Sequence, residues 1–274
     1  MTLSSERQAK QVAASFRADY RLGVQPLGDL VALIEQTTGY DVAILEGDPD
    51  EHGLTMRDPV RGAVFIGIAR SRRPMRQRST LAHELAHVLF EDWSGEPEPE
   101  KRKPQEVRAD AFARHLLVPV EGLKEFLGDR ASVSKSELAS VVQRFLVSPA
   151  IAAIAMRDAG YVDVQTANNW MEHTTAQLAT QFGWSDQYAA LQDDSDRLRA
   201  PQALVARAVA GYAEGIVSSR VIATLRGVGV DEVLNDLEVA GIVPIRHEGT
   251  DMRHEDLPDV DVDLSGLDDE GACS

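Results

Sequence analysis

A chain of 274 residues, 43% of them hydrophobic, is long enough to bury one large core or two small ones. Its net charge of −16 argues against a protein built mainly to hold nucleic acid, whose footprint is basic, and no apolar run approaches the roughly 18 residues of a membrane span. The one cysteine, Cys273, excludes intrachain disulfides, and the first seven residues lack the basic-then-apolar pattern of a secretion signal, so a cytoplasmic protein is expected.

In chain order, residues 5–21 set Ala9, Val12, Ala13, Phe16 and Tyr20 at helical spacing, and Gly23 ends that helix. A second helix is expected from about 27 to 38, burying Leu30, Val31, Leu33 and Ile34, with Gly39 closing it. Three short strands follow, at 41–45, 53–57 and 62–68, with turns at Asp48-Pro49-Asp50 and Asp58-Pro59. Residues 70–78 then hold five arginines (Arg70, Arg72, Arg73, Arg76 and Arg78) and read as a solvated loop. The alternative is a basic rim that attracts an acidic segment of a substrate.

The stretch from Arg78 to Phe90 contains His83-Glu84-Leu85-Ala86-His87, an HExxH pattern. Four residues are about one helical turn, so both imidazoles stack on one face. Leu81, Ala82, Leu85, Ala86, Val88 and Leu89 make the rest apolar, so the helix is expected to be buried. Two imidazoles beside a carboxylate are costly to bury without a partner, and zinc suits two imidazoles plus one oxygen ligand. Glu84 would serve as general base for water at such a metal.

Catalytic zinc needs a third protein ligand. A second helix pattern opens at Pro104 and carries Glu106 and Asp110 one turn apart. One of these carboxylates can ligate while the other accepts the remaining N–H of a ligand histidine. Glu96, Glu98 and Glu100 are rivals, but Pro97 and Pro99 separate them and argue against a helix. His115 lies nine residues past Glu106, about half a turn round the helix and away from the metal, so it reads as a structural or surface histidine. His52, His173, His247 and His254 have no motif around them. Tyr161 is a candidate oxyanion donor that nothing in the sequence positions.

The pairing of RSTLAHELAHVLF with ExxADAFARHLLVP resembles the ImmA/IrrE family of bacterial intracellular zinc metallopeptidases, which carry a TLAHELGH block followed by an E..A..FA..LL.P block. Ala86 stands where the family usually has glycine, and alanine is nearly as small. The resemblance covers roughly residues 8–165. It implies a gluzincin-like site in which His83, His87 and Glu106 hold zinc, Glu84 is the general base and Asp110 orients His83. It also implies a zincin-like catalytic domain in which an edge strand beside the metal, expected within 62–68, pairs with the extended substrate. The implied substrate is a helix-turn-helix transcriptional repressor, whose cleavage switches on stress, DNA-repair or mobile-element genes.

The expected class is therefore α+β, a small sheet packed on the HExxH helix and a mainly helical C-terminal region. The expected division is 1–130 catalytic, 131–165 helix-turn-helix-like, 166–246 helical and 247–274 an acidic disordered tail. That tail carries ten acidic residues against Arg253, leaving −7 for the rest. Residues 134–162 and 217–243 both resemble helix-turn-helix units. The second helix of the first offers only Arg157, and that of the second offers Asp231, Glu232, Asp236 and Glu238, which argues against direct DNA binding and for packing or partner contact. Asp193, Asp194 and Asp196 read as solvated surface. The competing reading is a non-hydrolytic regulator that sequesters a DNA-binding partner with its acidic half.

Overall fold

Three strands form a mixed sheet in the computed structural model, which describes residues 4–47, 53–93, 104–130 and 132–245. They are β1 (Asp41–Leu45), β2 (Leu54–Arg57) and β3 (Val64–Ala69), in the order β1-β3-β2. β1 runs parallel to β3 in a register from Asp41 opposite Phe65 to Leu45 opposite Ala69, and β2 runs antiparallel to β3. The edge strand beside the HExxH helix is thus β2, not residues 62–68. Val64, Ile66 and Ile68, which share one face of β3, are buried in the core, whereas Leu54 and Met56 of β2 are about half exposed.

Two helices precede the sheet. α1 (Ser5–Asp19) starts on Ser4, and α2 (Leu30–Thr38) starts on Asp29, whose side chain accepts from the Ala32 N–H at 3.0 Å. α2 ends on Gly39 at φ 72°, a left-handed cap that glycine adopts without a Cβ penalty. After the sheet come α3 (Pro74–Leu89), α4 (Pro104–Leu117), α5 (Val120–Leu127), α6 (Lys135–Phe145), α7 (Pro149–Asp158), α8 (Val164–Met171), α9 (Thr175–Gln181) and α10 (Ser185–Ser195). A last group follows: α11 (Gln202–Ala213), α12 (Ser219–Arg226) and α13 (Val230–Val239). The protein is α+β and mostly helical.

One hydrophobic core runs from Ala9 of α1 to Trp184 beside α10, with Ile34, Ile66, Leu81, Leu85, Phe112, Leu116 and Met156 almost fully enclosed. α8 and α9 feed Trp170 and Leu178 into it. A second, smaller cluster joins Ala208, Ile222, Ala223, Val233 and Leu237 of α11–α13. Among the described residues no single helix is long and apolar enough to cross a membrane. α6 and α7 pass that test only together; they are bent by 109° and bury Val141, Val142, Ala152 and Met156 in the core.

Residues 70–78 are a solvated loop only in part: Arg72, Arg73 and Arg76 are exposed, but the helix begins within the stretch and Arg78 is drawn inward. Pro74 opens α3 four residues before Arg78, because proline at the first helical position gives up no intrahelical N–H bond. Arg78 donates from Nη1 to Gly28 O at 2.6 Å, from Nη2 to Leu27 O at 2.7 Å and from Nε to Leu146 O at 3.2 Å. Its burial lowers the guanidinium pKa to about 10, partly offset by Asp29. Arg72 pairs with Asp193 at 2.9 Å in an exposed ion pair, so the aspartate sits on solvated surface and also meets the arginine stretch. The backbones of Ser71 and Ser195 join at 3.1 Å, and the Ser195 hydroxyl donates to Ser71 O at 2.6 Å. An antiparallel bridge between Ile44 and Arg199 covers the outer edge of β1. The segment after α9 therefore braces the start of the metal helix and the far side of the sheet.

The α1–α2 connection is held as tightly from the opposite side. Arg17 donates to the carbonyls of Leu116, Gly23 and Gln25 at 2.8, 2.8 and 3.1 Å. A Cβ at Gly122 of α5 would lie 2.1 Å from the Val24 carbonyl oxygen. Gly122→Ala is accordingly expected to destabilise the protein by about 1–3 kcal/mol, although alanine is the better helix former. Thermal unfolding checks this, and an unchanged Tm would show that the backbone yields freely here.

Candidate metal centre

α3 and α4 pack against each other, and their facing surfaces bring the histidines and carboxylates together. His83 Nε2 lies 3.0 Å from His87 Nε2 and 3.1 Å from one oxygen of Glu106, and His87 Nε2 lies 3.6 Å from the other. Ligands about 2.0–2.1 Å from a tetrahedral ion sit about 3.3 Å from one another, so this triangle has the size of a zinc site. The three residues can hold a metal ion, and each is partly buried.

The rest of the histidine environment supports that geometry. His83 Nδ1 is 2.8 Å from Asp110, which selects the tautomer with the Nδ1 proton donated and the Nε2 lone pair turned toward the metal position. Burial opposes protonation of His83, but the hydrogen bond and charge of Asp110, with the charges of Glu84 and Glu106, outweigh it and raise the imidazole pKa. A cluster that attracts a proton this way also attracts a divalent cation in its place.

Glu84, about 100° further round α3 than His83, is 5% exposed. Its Oε2 accepts from the Thr55 hydroxyl of β2 at 2.6 Å. Gly53, just before β2, packs so closely that a Cβ there would lie 2.4 Å from Glu84 Cγ and 2.8 Å from Cδ. Edge strand and metal helix therefore grip the carboxylate between them. Sequence reasoning missed Gly53 and Thr55. The signal was a glycine at a strand start, which often marks a close approach of another group.

It also missed Asp92. α3 ends in a Schellman turn: Glu91 N–H donates to Val88 O at 3.1 Å, and Asp92 N–H to His87 O at 2.9 Å. The left-handed residue is Glu91, at φ 55°, rather than glycine. The turn points the Asp92 carboxylate back at His87 Nδ1, 3.4 Å away. Arg108 of α4 holds that carboxylate at 2.8 and 3.0 Å and stacks 4.0 Å above the Phe90 ring.

The remaining candidates fall elsewhere. His115 is buried and meets Glu6 at 2.7 Å, a structural histidine as its position on the helix implied. The Tyr161 hydroxyl donates to the Gly128 carbonyl at 2.8 Å, so it is engaged away from the metal residues. Glu96, Glu98, Glu100, His52, His247, His254, Cys273, the Asp48-Pro49-Asp50 turn and the acidic tail lie outside the described residues.

No curated protein matches the chain. The model of the IrrE N-terminal-like domain (Peptidase_M78) matches residues 39–157, which contain the whole sheet, His83, Glu84, His87, Glu106 and Asp110. This segment, which carries every residue of the metal triangle, is thus similar to the IrrE N-terminal-like domain, and the match supports the resemblance to the ImmA/IrrE family.

Proposed function

We propose that the protein is a zinc-dependent endopeptidase with a zincin-like site. The observation that carries this reading is the triangle of His83, His87 and Glu106 donors beside a general base clamped by a neighbouring strand. His83, His87 and Glu106 would hold zinc, which when bound supplies the positive charge that acidifies water and polarises a carbonyl. Glu84 takes the proton from the attacking water and later delivers it to the leaving amine. Thr55 occupies Oε2 and so fixes which way the carboxylate faces. Asp110 keeps His83 in the ligating tautomer, and Asp110→Ala should weaken zinc binding about 10–100-fold. Competition with a chelator measures that loss, and an undiminished affinity would remove the assignment.

Among the described residues the outer edge of β2 is the one available to a substrate, since β3 is sandwiched and β1 is bridged by Arg199. Pairing along β2 gives affinity through backbone bonds with little demand on sequence. The family points to a helix-turn-helix transcriptional repressor as substrate, cut so that stress, DNA-repair or mobile-element genes are derepressed. α6–α7 and α12–α13 fit the role of packing or partner-binding units better than that of DNA readers, because half of α7's residues are buried and α13 is acidic.

Candidate repressors from the same genomic neighbourhood, incubated with wild type and with Glu84→Gln and read by mass spectrometry, test the proposal. Fragments with wild type alone support it. An intact repressor held in a stable complex by both proteins would favour the sequestering regulator instead.

A further inference from the structure

The two imidazoles of the metal pair differ in how their outer nitrogens are held. Asp110, one turn beyond Glu106 on α4, faces His83 directly. His87 is served from its own helix's end, by a carboxylate that reaches it only because the chain reverses at Glu91. A non-glycine residue in the left-handed region costs about 1–2 kcal/mol, and such strain persists where the surrounding structure enforces it, often at functional sites. Here the reversal aims Asp92 at His87 Nδ1.

Asp92 is also a poor candidate for a casual surface charge. Its side chain is 14% exposed, and its partner Arg108 is 21% exposed. A carboxylate so enclosed needs a cation, and Arg108 supplies one through contacts to both oxygens. Arg108 is itself fixed by stacking on Phe90, the residue that caps α3. Arg108 lies between Glu106 and Asp110 in sequence, so one stretch of α4 meets a ligand atom, the partner of His83 and the partner of Asp92.

We propose that Asp92, locked by Arg108, is the positioning carboxylate of His87, so that α4 orients both metal-binding imidazoles, one directly and one through an ion pair. This rests on the metal reading of His83, His87 and Glu106. Asp92 touches no reacting atom. It fixes the His87 tautomer and ring orientation, and Arg108 fixes Asp92. The competing role is a plain α3–α4 ion pair, which would affect stability and leave the metal alone.

The test is zinc affinity of the full chain, by competition with a chromophoric chelator, for wild type, Asp92→Asn, Arg108→Met and the double variant. Asp92→Asn is expected to weaken zinc about 10–100-fold, and Arg108→Met about 10-fold, the lower end of that range. In the double variant the Arg108 change should add little to the Asp92 change, because it acts through it. The visible spectrum of the cobalt-loaded protein should also shift in Asp92→Asn, which loss of a remote ion pair would not cause. Wild-type affinity and an unshifted spectrum in Asp92→Asn would overturn the proposal. If that variant does not fold, wild-type zinc affinity in Arg108→Met overturns it equally. A wild type that binds no zinc removes the metal reading itself, a separate and recognisable failure.

Discussion

Glu84→Gln is expected to slow peptide hydrolysis by about 100- to 10,000-fold while zinc remains bound. Glutamine keeps the shape of glutamate and can still accept from Thr55, but it cannot take a proton from water. Glu84 is not one of the three residues that converge on the metal position, so the ion should stay. The paired measurement is turnover of a fluorogenic peptide or a cleaved protein substrate, together with zinc content of the same sample. Loss of both would mean that Glu84 supports the site structurally. Full turnover without it would remove Glu84 as the base.

Gly53→Ala should have the next largest effect, and through the same carboxylate. The added methyl would meet Glu84 Cγ at 2.4 Å, Cδ at 2.8 Å and Oε1 at 2.9 Å. With Glu84 buried between α3 and β2, it cannot swing into solvent without leaving Thr55. Either the carboxylate turns or β2 retreats. A displacement near 1 Å at a reacting group costs about 100-fold in rate. Zinc affinity should be unchanged, because His83, His87 and Glu106 lie on α3 and α4, away from Gly53. Turnover close to wild type in Gly53→Ala would show that the grip on Glu84 is dispensable.

These two substitutions also mark the boundary of what the sequence makes legible. HExxH and Glu106/Asp110 are local patterns, since an interval of four residues on a helix dictates which side chains share a face whatever surrounds it. The same arithmetic sent His115 away from the metal, and it packs against Glu6. Gly53 and Thr55 were hidden because they meet Glu84 across about 30 residues of chain, a pairing that no periodicity encodes. Asp92 was hidden because a left-handed turn at glutamate is not what residue preference leads one to expect.

Arg78 departs from the solvated-loop expectation for a related reason. Composition says that five arginines belong in water, yet Arg78 is enclosed by three carbonyls from distant parts of the chain. Strand order was ambiguous because 53–57 and 62–68 are both short and apolar, and only the pairing shows which one is central. The bracing of α3 by Ser195 and Arg72–Asp193 had no sequence signature at all.

The most direct test of the metal centre is anomalous diffraction at the zinc edge on crystals of the zinc-loaded wild type. One peak per chain is expected, within bonding distance of His83 Nε2, His87 Nε2 and a Glu106 oxygen. A peak elsewhere, or none at those three atoms under saturating zinc, would contradict a metal-dependent peptidase built on this triangle.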